Sequence, residues 1–307
     1  MFVANLYRHF VAFHLPFIKL LQSWGYEVHA AAWTDGGGHK DDLEAAGVVC
    51  HDTRFIRSPV KPQNISAYRD VHRLLLSQEF DLIHVHTPMP AWLARLAAKR
   101  TGQRPVLYTA HGLHFYKGAP WPYWLFYYPA ERIAARWTDG LIVMNREDFE
   151  RAKRMGFVEG KNLFYVHGVG VDLKRFSRRP TDIHPIRKEL GLDAEDVVVT
   201  CVAEFTSTKN HGFLLEAWRI AVERRASGQL LLIGDGRLRK VMERKVIKQS
   251  IPRVRFLGVR RDVPQILQAS DILVLPSRRE GLPRSIMEAM ASGKPVVATD
   301  VRGARDL

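Results

Sequence analysis

Short apolar runs alternate with longer amphipathic segments along the chain, and this alternation is what most restricts its possible folds. Strands that alternate with helices pair in parallel through right-handed crossovers, so the pattern predicts an α/β fold. In the first half, the predicted strands are 2–6, 27–33, 82–86, 105–109 and 140–144. The predicted helices there are 13–24, 65–78, 91–100, 124–137 and 146–155.

The strand and helix pattern begins again after Arg178-Arg179-Pro180. A length of 307 residues also suits two domains better than one. We therefore predict two doubly wound domains, 1–178 and 179–307, with a linker near 168–182. Ligands bind such sheets beyond the carboxyl ends of the strands, so we expect a site in a cleft between the domains. Predicted elements of the second half are strands 197–202, 230–233, 254–258, 272–275 and 295–299 and helix 213–226.

The net charge of +14 favours anionic partners, with nucleic acid, anionic lipid and nucleotide diphosphates as the candidates. The densest basic run, 237–261, could equally be a solvated helix face. Cys50 and Cys201 lie too far apart to suggest a disulfide framework, which favours a reducing, cytoplasmic compartment. No run reaches the roughly 18 apolar residues of a spanning helix, so we expect any membrane contact to be peripheral.

Glu280 and Glu288 lie eight positions apart, on either side of Gly281-Leu282-Pro283 and a predicted helix start near Ser285. A glycine lets the backbone approach a ligand closely, and a helix N-terminus attracts phosphate. Carboxylates accept hydrogen bonds from vicinal hydroxyls, as on a sugar or a ribose. Judged by spacing alone, two solvated glutamates around a helix start remain an alternative.

This run resembles the E-x7-E signature of retaining glycosyltransferases of family 4, and the resemblance extends over nearly the whole chain. It implies a GT-B fold of two Rossmann-like domains and a nucleotide-sugar donor, expected to be a UDP-sugar. It also implies transfer with retention of anomeric configuration and no bound metal cofactor. Supporting stretches are 202–211, 232–236 and 256–263 in the second half and 13–16, 57–59, 83–88 and 108–120 in the first, the latter similar to capsule and exopolysaccharide members.

The resemblance assigns catalytic roles to three residues. His111 would lie near the reacting centre and hydrogen-bond the donor sugar, and Glu280 would contact the transferred sugar. Lys209 would neutralise the departing diphosphate, the kind of electrostatic task that usually dominates catalysis.

Five further positions are expected to bind the donor. Glu288 would accept hydrogen bonds from the ribose, and the backbone of Gly281 and Leu282 would cradle the sugar. Gly236 belongs to a stretch that resembles a nucleotide-side loop. Arg284 stands where small or apolar residues are common, and could add positive charge or face solvent.

Two departures from the family pattern stand out. Ala203-Glu204 replaces a common Gly-Arg pair, so Lys209 would act with less help. The chain ends at Arg305-Asp306-Leu307, before elements that the family normally contains. We therefore expect a truncated second domain, and an inactive family member is one alternative.

His84 and His86 alternate along a predicted strand and so share a face, as two metal ligands could. No third ligand is evident in the sequence, and neither a D-x-D motif nor a P-loop occurs. The expectation is therefore that no metal is required.

The aromatic run 121–128 is expected to pack in the core or, alternatively, to form an interfacial surface for a lipid acceptor. The expected partners are a lipid-linked saccharide acceptor and an anionic membrane surface on the inner face of the plasma membrane, and no nucleic acid. The competing functions are a nucleotide-sugar 2-epimerase of similar fold and a non-enzymatic basic module.

Overall fold

The computed structural model describes residues 1–34, 36–177, 184–193, 195–224 and 227–307. The chain divides into two compact units, Met1–Val169 and Gly170–Leu307, each built on a parallel sheet. This confirms the predicted class of two doubly wound α/β domains. The division falls within the predicted linker, whereas the predicted boundary between 178 and 179 lies outside the described residues.

The first unit has a seven-stranded sheet with helices between successive strands. Its strands are β1 (Phe2–Leu6), β2 (His29–Trp33), β3 (Val49–Asp52), β4 (Ile83–His86), β5 (Val106–Ala110), β6 (Gly140–Val143) and β7 (Leu163–Tyr165). Its helices are α1 (Tyr7–Phe13), α2 (Leu15–Ser23), α3 (His39–Ala45), α4 (Gln63–Ser77), α5 (Pro88–Thr101), α6 (Trp121–Ala135) and α7 (Arg146–Arg154). The strand order is β3-β2-β1-β4-β5-β6-β7, and all neighbours pair in parallel.

The second unit has a five-stranded parallel sheet. Its strands are β8 (Val198–Val202), β9 (Gln229–Ile233), β10 (Val254–Gly258), β11 (Ile272–Leu275) and β12 (Val296–Ala298). Its helices are α8 (Leu173–Phe176), α9 (His184–Glu189), α10 (His211–Glu223), α11 (Arg239–Lys248), α12 (Val263–Ala269) and α13 (Arg284–Ala291). The strand order is β10-β9-β8-β11-β12.

Strand β9 shows why the strands have continuous apolar sequences. Leu230 and Leu232 pack into one hydrophobic cluster, and Leu231 and Ile233 pack into another on the opposite face. Both faces of the sheet are therefore covered, as in parallel sheets generally.

Two helices of the first unit are held together by a buried ion pair. Arg95 on α5 is 1% exposed, and its Nη2 donates to Oε2 of Glu131 on α6 at 2.8 Å. Its guanidinium also lies 4.3 Å from the ring centre of Tyr108 on β5. The pair thus ties α5 and α6 to the central sheet.

The predicted helix over 13–24 is shorter in the structure. Helix α1 ends at Phe13, and α2 begins at Leu15 with Pro16 in its first turn. Proline is tolerated there because the N–H groups at a helix start have no intrahelical partner. The predicted helix over 213–226 corresponds to α10, and residues 225–226 lie outside the described residues.

The aromatic run 121–128 is divided by the two faces of α6. Trp124 and Tyr128 pack against buried Phe115, while Trp121 and Phe126 are 73% and 68% exposed. Core packing is therefore confirmed for Trp124 and Tyr128, and the interfacial surface for a lipid acceptor stays a prediction. Among the described residues, no helix has the length and apolarity needed to cross a bilayer.

Candidate functional site

The central strand β8 of the second sheet lies between β9 and β11, and the strand order reverses there. In open parallel sheets, this switch point opens the crevice in which ligands bind. The loop after β8 contains Lys209, and the loop after β11 contains Glu280. The topology thus brings together two predicted catalytic residues that are distant in sequence.

Lys209 and Glu280 form a direct ion pair. The Lys209 Nζ donates to Glu280 Oε1 at 2.5 Å, and the Glu280 side chain is largely buried. The two loops also meet through their backbones, because the Arg278 N–H donates to the carbonyl oxygen of Thr208 at 2.8 Å. The pair is therefore positioned by the loops and does not depend on flexible side chains alone.

Glu288 lies in the first turns of α13 and is buried. Its Oε1 is 2.8 Å from Nε of Arg284, one turn earlier on the same helix. Burial raises the pKa of Glu288, and the positive charges of Arg284 and Arg175 oppose that rise. Arg284 was expected either to add positive charge or to face solvent. In the structure it pairs with Glu288, the residue predicted to bind the ribose.

The predicted sugar cradle, Gly281-Leu282, is backed by residues that sequence reasoning missed. A Cβ on Gly303 would lie 2.1 Å from the carbonyl oxygen of Gly281, so only glycine fits there. Arg302 Nε donates to the carbonyl oxygen of Glu280 at 3.2 Å. The segment 302–303 therefore holds the backbone that would face the sugar.

Gly236 lies where a side chain could not. Its φ is 149°, and a Cβ there would lie 2.8 Å from both N and O of Phe205. The Phe205 N–H donates to the carbonyl oxygen of Asp235 at 2.9 Å. The predicted nucleotide-side loop thus packs directly on the loop that leads to Lys209.

The first unit has its own switch point, between β1 and β4. Four histidines lie beyond the carboxyl ends of its strands: His9 and His14 follow β1, His86 ends β4 and His111 follows β5. One ring nitrogen from each of the four lies within 4.8 Å of the other three. We refer to these four residues as the histidine cluster.

Burial shapes the charge of the histidine cluster. It lowers the pKa of His111 to about 4, of His9 to about 3 and of His14 to about 2. Burial also lowers the pKa of His86 well below its usual range. All four imidazoles are therefore neutral near pH 7, and each ring has one donor and one acceptor nitrogen.

His84 and His86, which the sequence pairs on one strand face, have different partners. His84 Nε2 lies 2.7 Å from Thr109 Oγ1, whereas His86 Nδ1 lies 3.4 Å from His111 Nε2. His9 and His14 were missed because His9 lies on α1, His14 lies between α1 and α2, and the two show no ligand-like spacing.

The structure therefore places the predicted residues in two groups. His111 belongs to the first unit, within the histidine cluster. The second group is at the switch point of the second unit and contains Lys209, Gly236, Glu280, Gly281, Leu282, Arg284 and Glu288.

Two protein families match the chain, one for each unit. Residues 17–175 match the family described as "Glycosyltransferase Family 4". Residues 196–307 match the family described as "Glycosyl transferases group 1".

Relatives of known name agree with these families. The chain is 36% identical to the glycosyltransferase EpsD of Bacillus subtilis, over 100% of the chain and 80% of EpsD. It is 30% identical to the UDP-Gal:alpha-D-GlcNAc-diphosphoundecaprenol alpha-1,3-galactosyltransferase of Escherichia coli, over 80% of the chain and 66% of that enzyme.

Solved structures share the fold at lower identity. Anabaena HepE in complex with UDP and glucose superposes with a TM-score of 0.73 at 21% identity, over 99% of the chain and 81% of HepE. WaaG, a glycosyltransferase involved in lipopolysaccharide biosynthesis, gives a TM-score of 0.74 at 17% identity, over 99% of the chain and 82% of WaaG. With its two Rossmann-like units and its matches to both families, the chain belongs to the family 4 glycosyltransferases of the GT-B fold class.

Proposed function

We propose that this protein transfers a hexose from a UDP-sugar to a lipid-linked saccharide acceptor, with retention of anomeric configuration, in the synthesis of a bacterial surface polysaccharide. The observation that carries the proposal is the Lys209–Glu280 ion pair at the switch point, with Glu288 on the adjoining helix. These groups combine a cation for phosphate with carboxylates for hydroxyl groups.

The relatives support the choice of donor and acceptor. HepE has been solved with UDP and with UDP-glucose, and the name of the Escherichia coli relative includes a UDP-galactose donor and a diphosphoundecaprenol acceptor. A Corynebacterium glutamicum relative at 28% identity is named for GDP-mannose, so a GDP-sugar is the natural comparison in any assay.

Lys209 is suited to the leaving group. Its ammonium has three donor hydrogens, of which Glu280 accepts one, so the same cation can also bond diphosphate oxygens. Charge builds up on the diphosphate as the bond to the sugar breaks, and a positioned cation stabilises that state most. Arg284 adds a second cation on α13, held through its contact with Glu288.

The carboxylates have separate tasks in this proposal. Glu280, whose backbone is held by Arg302, contacts the hydroxyls of the transferred sugar, and the Gly281-Leu282 backbone lies along the same ring. Glu288 accepts hydrogen bonds from the ribose. Neutral His111 donates a hydrogen bond to the donor sugar.

The chemical step exchanges one C–O bond for another. The bond between the anomeric carbon and the diphosphate oxygen breaks, and the acceptor oxygen forms the new bond on the same face. The acceptor proton passes to the departing phosphate, which leaves as UDP. None of the assigned roles requires a metal ion.

The outer face of α6 supports docking of the enzyme on a membrane. Trp121, Leu125 and Phe126 are exposed, as are Arg132 on the same helix and Arg136 directly after its last residue. Aromatic and basic side chains on one surface suit the interface of an anionic leaflet. Together with the net charge of +14, this supports the proposal that the enzyme acts at the inner face of the plasma membrane.

A donor screen followed by turnover tests the proposal. UDP-, GDP- and ADP-sugars are compared for thermal stabilisation, and the best donor is then incubated with an undecaprenyl-diphosphate saccharide in vesicles. We expect a UDP-sugar to give a glycosylated lipid with the donor's anomeric configuration by NMR. We also expect turnover to rise with anionic lipid and to fall with salt.

Other outcomes separate the alternatives. Formation of an epimer from donor alone would establish a 2-epimerase. DNA binding that depends on salt, without any nucleotide-sugar binding, would establish a basic module. Equal transfer to soluble acceptors at every lipid charge and ionic strength would overturn the membrane part alone.

A further inference from the structure

The histidine cluster has the donor atoms of a metal site. His14 Nε2 and His9 Nε2 lie 3.2 Å apart, and His111 Nε2 and His86 Nδ1 lie 3.4 Å apart. Four nitrogens around a tetrahedral ion at 2.0–2.1 Å are separated by about 3.3 Å. Two edges of such a tetrahedron are therefore already formed, and all four donor atoms lie within 4.8 Å.

A buried atom in the same place has no bonding partner. Among the described residues, His86 Nε2 is fully buried and lacks any hydrogen-bond partner. A buried polar nitrogen without a partner costs free energy, and native structures rarely leave one so. A metal ion satisfies this nitrogen when His86 binds through Nε2; when His86 binds through Nδ1, the edge to His111 is used instead.

We propose that the histidine cluster of His9, His14, His86 and His111 binds one divalent late first-row transition ion such as Zn²⁺. Imidazole nitrogens suit Zn²⁺, Co²⁺, Ni²⁺ and Cu²⁺, whereas Mg²⁺ and Ca²⁺ require oxygen ligands. His84 lies beside the site, with its ring centre 4.2 Å from that of His86, and its Nε2 bonds Thr109.

Metal binding has a consequence that depends on the proposed function. His111 is the residue proposed to hydrogen-bond the donor sugar, and an ion bound through its nitrogen takes that nitrogen away. When the sugar and the ion use the same nitrogen of His111, they compete and the ion is a reversible inhibitor; no step of the transfer uses the ion.

Cobalt titration of the full chain, stripped of metal with EDTA and free of donor, tests the site directly. We expect one Co²⁺ per chain with the visible absorption of a tetrahedral complex, displaced by Zn²⁺. Replacement of one ligand, His14→Ala or His86→Ala, should weaken binding by about 10- to 100-fold or more. If the buried variants fail to fold, His9→Ala, at a partly exposed position, serves in their place.

A matched control comes from another histidine pair of the first unit. His51 Nε2 lies 2.8 Å from His29 Nδ1, and neither belongs to the cluster. His51→Ala should leave Co²⁺ binding unchanged. Absence of Co²⁺ absorption at about a tenfold excess over protein, or binding that His51→Ala removes and His9→Ala does not, would overturn the proposal. Either result leaves the transferase proposal intact, because no donor is present.

Discussion

Arg284 and Glu288 lie one turn apart on α13, with Arg284 Nε 2.8 Å from Glu288 Oε1. The resemblance to family 4 already implied that both residues lie beside the expected donor, but it did not show that they are partners. The contact gives the buried carboxylate a fixed orientation and a counter-charge. It therefore joins two predicted donor-binding residues into one unit.

Removing the charge of Glu288 is expected to weaken nucleotide binding. Glu288→Gln keeps the size of the side chain but leaves the ribose hydroxyls without a charged acceptor, at a cost of about 1.5–3 kcal/mol. Calorimetry with UDP measures this directly. Glu195→Gln, at an exposed position of the same unit, should bind UDP as the unchanged protein does. Equal affinity of the two variants would refute the role of Glu288.

The affinity for UDP should also depend on the ionisation of Glu288. Because burial raises its pKa, protonation begins at a higher pH than for an exposed glutamate. The ionised form accepts the ribose bonds, so affinity is full above this pKa and falls as the pH falls through it. Calorimetry at about pH 7.5 and about pH 5.5 should show a larger loss for the unchanged protein than for Glu288→Gln.

Arg284 supplies a second arm of the same experiment. Its charge lowers the pKa of Glu288, so Arg284→Met should move the onset of the loss to higher pH. If the affinity loss of Arg284→Met begins at the same pH as in the unchanged protein, a group other than Glu288 is responsible for the pH dependence.

Gly303 should matter for the sugar more than for the nucleotide. In Gly303→Ala, the new methyl group would lie 2.1 Å from the Gly281 carbonyl oxygen, and the sugar cradle must shift. We expect weaker binding of the UDP-sugar, with a smaller change for UDP alone. Gly293→Ala is the matched control, because its φ of 68° imposes similar strain but no atom lies within 4 Å. Equal effects of the two substitutions would argue against the cradle.

The buried ion pair of the first unit should dominate local stability. Glu131→Ala leaves the Arg95 charge buried without its carboxylate, which costs about 3–5 kcal/mol of unfolding free energy. Urea unfolding measures the loss. The double variant Arg95→Met, Glu131→Leu should recover most of it, since no charge is then left unpaired. A single variant as stable as the unchanged protein would contradict this account.

The sequence was sufficient for the architecture but not for every element. Buried strands such as β9 are recognisable in the sequence as continuous apolar runs, because both of their faces are covered. Strand β3 (Val49–Asp52) was missed because it is short and polar and is held by pairing with β2 at the sheet edge. Its stability comes from tertiary pairing, which no local pattern shows.

The candidate sites were predictable to different degrees. The E-x7-E run identified Glu280 and Glu288 from local sequence, but the pairing of Glu280 with Lys209 followed from the fold. Lys209 is 71 residues from Glu280, and only parallel pairing of β8 with β11 brings their loops together. The histidine cluster draws on helix α1, the residue between α1 and α2, the end of β4 and the loop after β5, so no spacing rule could assemble it.

The turnover of Lys209→Ala tests the central claim most directly. The variant is compared with Lys240→Ala, which removes an exposed lysine of the same unit. Both are assayed with the best UDP-sugar and the lipid-linked acceptor. We expect Lys209→Ala to lower kcat by about 100-fold or more, because the departing diphosphate loses its positioned cation, while Lys240→Ala keeps full kcat. A folded Lys209→Ala protein with unchanged kcat would contradict the account.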